Sequence, residues 1–237
     1  MQPSEEVQRR RTFAIISHPD AGKTTLTERI LYLCGGIQSQ GSVDAGTAHT
    51  DTLSVERTRG ISVKAASACC AWKGVEIALV DTPGHADFSS EVERSLWALD
   101  GAVLLVSAVD GVMPQTENLF RILHKLHLPT LLFINKTDRE GANPSAVLAQ
   151  ARERLSPRVA EYTAEGLMER LAETDENALN DYLEGNTWPM ERMLPWAAEA
   201  TRKGELIPVL SGSALRDCGV EALLDAIVDC LPAPEGS

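Results

Sequence analysis

The fold of this 237-residue chain is decided by the stretch Ser17-His18-Pro19-Asp20-Ala21-Gly22-Lys23-Thr24-Thr25. It follows residues 12–16, a short apolar run rich in β-formers, and precedes residues 26–32, where apolar side chains recur at helical spacing. A strand, a loop of small residues and then Gly-Lys-Thr at the start of a helix form the sequence context of a phosphate-binding loop, or P-loop. Because Ser17 stands where that pattern usually begins with Gly, an ordinary strand, turn and helix is the alternative interpretation.

A P-loop holds phosphate mainly through its backbone. Successive N–H groups surround the anion, and the N-terminus of the following helix adds a partial positive charge. Gly22 allows close approach of the backbone, Lys23 reaches the outer phosphates, and the Thr24 hydroxyl can ligate Mg²⁺. We therefore expect the phosphates of a nucleotide to contact Asp20, Ala21, Gly22, Lys23, Thr24 and Thr25.

The composition is that of a soluble globular protein, with 43% apolar and 24% charged residues. The length suits one large α/β domain or two small ones. The 22 basic and 34 acidic residues give a formal charge of −12, which disfavours non-specific binding of nucleic acid. Any contact with nucleic acid is therefore expected to be local and to depend on shape.

The cysteine pattern indicates reduced thiols. The five cysteines are odd in number and contain no CxxC pair, which argues against a disulfide framework and against a zinc site. Residues 1–11 are too polar for a secretory signal, and apolar runs such as 102–108 are far shorter than the about 18 residues that span a membrane. We expect a cytoplasmic protein without membrane contact.

Short apolar strands alternate with helical patterns, which indicates a doubly wound, mostly parallel sheet with helices on both faces. Helical spacing marks residues 26–32, 115–126, 147–155, 167–171 and 220–231. In such a sheet the ligand lies beyond the carboxyl ends of the strands. We expect six strands, the second and third forming a hairpin, at residues 12–16, 63–72, 75–80, 102–108, 130–134 and 206–210.

An acidic residue and a sharp turn end the third predicted strand, in the sequence Asp81-Thr82-Pro83-Gly84-His85. Asp81 is placed to hold the Mg²⁺ shell in the manner of a Walker B acid, and the Gly84 N–H can meet a γ-phosphate. Alone, the sequence Asp-Thr-Pro-Gly could be only a turn. After a P-loop it indicates a nucleotide site.

Base recognition is assigned to Asn135-Lys136-Thr137-Asp138, which follows another strand. The Asp138 carboxylate can accept hydrogen bonds from the ring N–H and the exocyclic amine of guanine, a donor pair that adenine lacks. Lys136 would pack its stem along the base, and Asn135 would tie this loop to the P-loop. After the last strand, backbone N–H groups of small residues would reach the base carbonyl, at Ser213, Ala214 and Leu215.

Together these motifs resemble, in order and in strand context, those of a P-loop GTPase G domain. The likeness covers nearly the whole chain and is closest to translation GTPases of the elongation factor G superfamily. Residues 41–47, 50–51, 56–57 and 91–96 look most like tetracycline-resistance ribosomal protection proteins. Residues 11–20 look instead like the release-factor branch of the superfamily.

This resemblance implies a GTP hydrolase that uses GTP, GDP and Mg²⁺. His85 would orient the water that attacks the γ-phosphate once the ribosome positions it. Ser62, where the family usually has Thr, would ligate Mg²⁺ together with Thr24 and Asp81. Asp20 resembles an acid that binds a monovalent cation beside the phosphates.

The resemblance also implies a domain organisation and a partner. Residues 1–232 would form the GTP-binding domain, with a helical insert around 156–205, and residues 233–237 would begin a linker to downstream domains. The implied partner is the ribosome, through its RNA and stalk proteins and in the full-length protein; we expect a monomer without sequence-specific DNA binding. An elongation or release role, a GTP-dependent binding module with little turnover, and an ATPase of the wider P-loop class remain open as alternatives.

Overall fold

The computed structural model describes residues 5–36, 67–80, 96 and 99–234. The strands are β1 (Arg10–Ser17), β2 (Ser67–Trp72), β3 (Val75–Val80), β4 (Gly101–Ser107), β5 (Thr130–Asn135), β6 (Val159–Glu161) and β7 (Ile207–Ser211). The helices are α1 (Glu5–Gln8), α2 (Lys23–Leu33), α3 (Pro114–Lys125), α4 (Pro144–Arg154), α5 (Ala164–Leu171), α6 (Glu176–Leu183), α7 (Met190–Arg202) and α8 (Val220–Cys230).

These strands form one sheet in the order β2-β3-β1-β4-β5-β7-β6. All neighbouring strands are parallel except β2 and β3, which form the expected antiparallel hairpin. Lys73 and Gly74 connect the two with φ of 47° and 81°, the conformation that a tight two-residue hairpin turn needs. The α/β fold class expected from the sequence is confirmed.

The described sheet has seven strands, one more than the six expected. The additional strand, β6, lies within residues 156–205, for which the sequence predicted only a helical insert. It is three residues long and pairs with β7, with Val159 beside Ile207. A strand this short shows no alternation of its own, and its identity depends on hydrogen bonds to a strand that lies far away in sequence. Helices α5, α6 and α7 make up most of the rest of this segment.

The two faces of the sheet carry two separate cores. Ala14, Ile16 and Leu104 face a cluster that α3 and α4 cover through residues such as Leu123 and Val147. The alternate residues Phe13, Ile15 and Val103 face a second cluster, which α2 and α8 cover. Strands β1, β4 and β5 are thus buried on both faces, so their sequences are apolar runs without alternation.

Because these central strands are parallel, their carboxyl ends lie along one edge of the sheet. The P-loop stretch follows β1, the Asn135-Lys136-Thr137-Asp138 motif begins at the end of β5, and residues 212–215 follow β7. The topology therefore places these three segments at the same edge. Among the described residues, no helix has the length and apolar character needed to cross a membrane.

Candidate nucleotide-binding site

The P-loop makes a tight turn between β1 and α2. Asp20 and Gly22 have φ of 62° and 98°, in the left-handed region, and Gly22 caps the N-terminus of α2. Alternating left-handed residues turn successive N–H groups toward one side, which creates an anion-binding concavity. Lys23, Thr24 and Thr25 form the first turn of α2, where backbone N–H groups have no partner within the helix.

Gly22 is needed for space as well as for its conformation. A Cβ at this position would lie 2.5 Å from Nδ2 of Asn135 and 4.0 Å from Cε of Lys136. Since real Cβ atoms do not approach that closely, only glycine allows the Asn135-Lys136-Thr137-Asp138 segment to lie against the P-loop. The sequence predicted that Gly22 contacts a phosphate. The structure shows in addition that Gly22 lies against Asn135 and Lys136.

Asn135 joins the three loops of the site. Its Nδ2 donates a hydrogen bond to the Ala21 backbone oxygen at 3.0 Å, as the sequence predicted, and its Oδ1 accepts one from the Ala214 backbone N–H at 2.9 Å. The side chain is 2% exposed, so both hydrogen bonds are shielded from water. Each partner is a backbone group, so this one amide links the P-loop to the loop after β7 through groups that no other side chain satisfies in these two bonds.

Asp138 lies next to the loop that follows β7. A hydrogen bond from the Ser213 side chain is the main cause that holds the pKa of Asp138 below its ordinary value, with smaller contributions from Arg139 and Arg216. Nε of Arg216 is 3.8 Å from Oδ2 of Asp138. The carboxylate is therefore ionised at neutral pH, as an acceptor of two N–H groups must be.

The loop after β7 is held from both sides. The Thr137 N–H donates to Gly212 O at 3.2 Å, and the Gly212 N–H donates to Ile134 O at 2.9 Å, which continues the β5–β7 pairing into the site. Ser213 and Cys218 exchange two backbone hydrogen bonds across the loop. The N–H groups of Ser213 and Ala214 therefore both donate to other groups of the protein: the Ser213 N–H to the Cys218 backbone oxygen and the Ala214 N–H to Oδ1 of Asn135.

Arg29 is a supporting residue that the sequence analysis missed. From α2 it donates to Ala214 O at 3.1 Å and to Leu215 O at 3.3 Å, and its Nη1 lies 3.3 Å from Oδ2 of Asp217. These contacts fix the loop after β7 onto the helix that begins at the P-loop. No local pattern marks Arg29, because its partners lie 185 residues or more away in sequence.

His18 is buried at the start of the P-loop, with 7% of its surface exposed. Its Nδ1 lies 3.4 Å from the Thr116 hydroxyl, and its Nε2 is 4.0 Å from a carboxylate oxygen of Asp110. Burial lowers the pKa of His18, an effect that Asp110 opposes and Lys136 reinforces. The neutral imidazole is therefore the form that the fold favours.

The described part of the candidate site gathers residues from three of the predicted motifs at one edge: Asp20, Ala21, Gly22, Lys23, Thr24, Thr25, Asn135, Lys136, Asp138, Ser213, Ala214 and Leu215. Four predicted site residues, Ser62, Asp81, Gly84 and His85, lie outside the described residues. Their roles stay predictions from the sequence.

A second concavity occurs at the opposite edge of the sheet. It is lined by Phe120 and Leu128 and by the first residues of β5 and β7, Thr130 and Ile207. Ligands of doubly wound sheets bind at the carboxyl ends of the strands, whereas this groove lies at the amino ends. The candidate site is therefore the edge that carries the P-loop.

The class of protein follows from the order of these elements. A P-loop between β1 and α2, an Asn-Lys-Thr-Asp motif after β5 and a small-residue loop after β7, tied together by Asn135, define a guanine-nucleotide-binding G domain. The sequence profile described as "Elongation factor Tu GTP binding domain" matches residues 8–233. The chain belongs to this family and is a translation GTPase domain.

The chain is similar to proteins of two kinds within the family. It is 42% identical to the oxytetracycline resistance protein of Streptomyces rimosus, over 94% of this chain and 37% of that protein. It is 40% identical to elongation factor G 2 of Streptomyces coelicolor, over 94% of this chain and 39% of that protein. The resemblance inferred from the motifs is confirmed, and the chain spans less than half the length of these relatives.

A solved structure shows the same architecture. A crystal structure of a protein from Thermus thermophilus superimposes with a TM-score of 0.76 over 94% of this chain and 40% of that chain, at 29% identity. The similarity therefore covers most of this chain.

Proposed function

We propose that this domain binds GTP with Mg²⁺ and hydrolyses it to GDP, as the switch domain of a ribosome-associated translation factor of the tetracycline-resistance ribosomal protection type. The observation that carries the proposal is the pair of hydrogen bonds by which Asn135 ties the P-loop to the loop after β7. This buried amide supports the proposal because it joins the loop that would cradle the phosphates to the loop that would contact the base.

Base selection is assigned to Asp138. An ionised carboxylate accepts from the ring N–H and the exocyclic amine of guanine, and adenine offers no such pair. Ser213 supports this role, because its hydrogen bond stabilises the charged form of Asp138. The Ala214 N–H would serve both Asn135 and the base carbonyl as a three-centre hydrogen bond, an arrangement that is common in proteins.

The described residues fit a triphosphate and its metal. Gly22 has the left-handed conformation in which the P-loop enters α2, and the first turn of α2 carries N–H groups suited to bind an anion. The Thr24 hydroxyl would ligate Mg²⁺, with Ser62 and Asp81 as the further ligands expected from the sequence. When bound, the metal neutralises charge that develops on the phosphate oxygens. A monovalent cation beside Asp20 is part of the same proposal.

Hydrolysis is assigned to His85, which would orient the attacking water. Phosphoryl transfer is accelerated mainly by positioning and by electrostatic stabilisation, so His85 need not accept a proton. We propose that the ribosome completes this arrangement through its RNA and stalk proteins, and that the protein acts in the cytoplasm. The alternative is an elongation-type or release-type role for the same domain.

Guanine recognition is tested by competition for a fluorescent GDP analogue. We expect GDP to displace it and ADP to fail. In Asp138→Asn, the amide presents one donor and one acceptor, which match the C2 carbonyl and N1–H of xanthine, so XDP should replace GDP as the best competitor. Glu140→Gln, a change of the same kind at an exposed acid two positions further along the chain, should leave the preference unchanged. Equal competition by GDP and ADP in the unmodified protein would overturn the proposal.

Turnover is tested separately from binding with His85→Ala. We expect this variant to bind GDP normally and to lose ribosome-stimulated hydrolysis. Stimulated hydrolysis that survives the substitution would assign catalysis to another residue. Absence of stimulated hydrolysis in the unmodified full-length protein would favour a GTP-dependent binding module.

The type of translation factor is tested with a chimera. This domain would replace the corresponding region of the Streptomyces rimosus oxytetracycline resistance protein. Cells that carry the chimera should then grow in tetracycline, and His85→Ala in the chimera should abolish growth. A chimera that hydrolyses GTP on ribosomes without conferring resistance would favour the elongation-type alternative.

A further inference from the structure

Two cysteines lie together at the junction of α2 and the edge strand β2. Cys34 is the C-cap residue of α2, and Cys70 lies on β2, and their side chains hydrogen-bond to each other. Both are half-buried at the margin of the core cluster that α2 and α8 cover. The pair takes no part in the candidate nucleotide site.

The backbone on both sides of this pair is fixed. On the helix side, the Cys34 N–H donates to Ile30 O at 3.0 Å and the Gly36 N–H to Leu31 O at 2.7 Å, which closes the last turn of α2. On the strand side, Cys70 is in register with Ile77 of β3. The main chain that carries each thiol is therefore fixed by secondary structure.

Gly36 allows this close approach of helix and strand. A Cβ at Gly36 would lie 3.3 Å from the Cβ of Cys70 and 3.5 Å from the Cys69 backbone oxygen. The first of these distances is tighter than most real Cβ contacts, and the second is an ordinary van der Waals contact. The turn after α2 thus brings the chain down onto β2 at the position of Cys70.

The mutual hydrogen bond makes the two thiols unequal. It lowers the pKa of Cys34, whose thiolate accepts the bond, and it raises the pKa of Cys70, which donates it. Thiolates are the nucleophiles in thiol oxidation, so Cys34 is the first of the pair to react. Cys70 is then within reach of the oxidised sulfur.

We propose that Cys34 and Cys70 form a modification site at which a peroxide generates a reversible intramolecular disulfide. The Cys34 thiolate attacks one peroxide oxygen, the O–O bond breaks, and with one proton the products are a sulfenic acid and water for hydrogen peroxide. The Cys70 sulfur attacks the sulfenic sulfur and loses its proton, and the displaced hydroxide takes up a proton as a second water. Two thiols are oxidised to one disulfide and one peroxide is reduced.

The three remaining cysteines differ from this pair in ways that the experiment can use. Cys69 is exposed on the neighbouring position of β2, and side chains of successive strand residues point to opposite faces. Cys218 is exposed in the loop after β7. Cys230 is buried in α8, and burial raises its pKa to about 12, so its thiolate is scarce at neutral pH.

The crosslink is tested by peptide mapping of the purified chain after treatment with hydrogen peroxide and alkylation of the remaining thiols. We expect one linked peptide pair that contains Cys34 and Cys70, absent from the untreated protein and removed by dithiothreitol. Cys34→Ser and Cys70→Ser should each abolish it, whereas Cys69→Ser should leave it intact. A linked pair that contains Cys69 or Cys218 in place of either residue, or no linked pair, would overturn the proposal.

The order of reaction is tested with dimedone, which traps sulfenic acids. In Cys70→Ser, which lacks the resolving thiol, we expect peroxide to leave a dimedone adduct on Cys34. In Cys34→Ser, Cys70 should remain unlabelled. The opposite labelling would overturn the assignment of Cys34 as the attacking thiol.

A physical consequence gives an independent measurement. A disulfide restricts the unfolded chain, so the oxidised protein should melt at a higher temperature than the reduced protein. Cys69→Ser should show the same rise on oxidation, and Cys70→Ser should show none. An oxidised protein in which the linked peptide forms but the melting temperature falls would show that the crosslink distorts the fold, and would overturn the inference that the thiols are already in place.

Discussion

Nδ2 of Asn135 donates a hydrogen bond to the backbone oxygen of Ala21 at 3.0 Å, which joins the end of β5 to the P-loop. The same side chain accepts from the Ala214 N–H on the other side. Both partners are backbone groups in a buried setting, so another side chain cannot easily take the place of Asn135. Removing this amide should affect folding and nucleotide binding together.

Asn135→Ala leaves two buried backbone groups without a partner. We expect the free energy of unfolding to fall by about 3 kcal/mol, because each such group costs on the order of 1–3 kcal/mol. Urea unfolding followed by circular dichroism measures this, and affinity for GDP should fall with it. Asn118→Ala is the control, since Asn118 hydrogen-bonds Arg121 in an exposed setting, and should change stability by less than about 0.5 kcal/mol. Equal effects at the two positions would contradict the role of Asn135.

Gly22→Ala should weaken the site by two separable effects. The new methyl group would meet Nδ2 of Asn135 at 2.5 Å, and the residue would keep a φ of 98° that alanine avoids. Gly74→Ala isolates the second effect, because Gly74 has a φ of 81° with nothing within 4 Å of its missing Cβ. We expect both variants to lose stability in urea, Gly22→Ala by clearly more, and only Gly22→Ala to lose affinity for GDP. A loss of GDP affinity in Gly74→Ala of the same size would contradict this reasoning.

The neutral form of His18 predicts a pH dependence of stability. Because burial lowers the pKa of His18 in the folded state below the ordinary 6.5, the unfolded chain binds the proton first as the pH falls. The contribution of His18 to stability is therefore complete above about pH 6.5 and is lost as the pH falls toward the lowered value. The slope of unfolding free energy against pH in that window should be smaller in His18→Gln. A slope in His18→Gln equal to that of the unmodified protein would contradict this assignment.

Tyr162 connects the end of β6 to α8. Its hydroxyl donates to Oδ2 of Asp229 at 2.6 Å, and burial together with this hydrogen bond raises the pKa of Tyr162. We expect Tyr162→Phe to lower the free energy of unfolding by about 1.5 kcal/mol, as for other hydrogen bonds to a charged acceptor. Tyr182→Phe removes a hydroxyl from an exposed tyrosine and should be neutral within error. A neutral result at Tyr162 would show that Asp229 is equally well satisfied by water.

Much of the fold could be read from local patterns because its central strands are buried on both faces. Continuous apolar runs predicted β1, β4 and β5, and helical spacing predicted α3 and α8 to within one residue at each end. The three residues of β6 could not be found in this way, since a strand of that length has no period to detect. They became a strand only because β7 offers them backbone partners.

For the site, the sequence by itself determined the order of the motifs after the strands. It also predicted the chemistry, that is, which residues would cradle phosphate, ligate Mg²⁺ and accept hydrogen bonds from guanine. Only the tertiary structure decided the supports, which are the Asn135 bond to Ala214, the anchoring of the 214–217 loop by Arg29 and the contact that makes Gly22 necessary. The physical reason is that chemical function resides in a residue's own atoms and its near neighbours in sequence. A support depends instead on a distance between atoms whose residues lie 79 or more positions apart, which only the folded sheet sets.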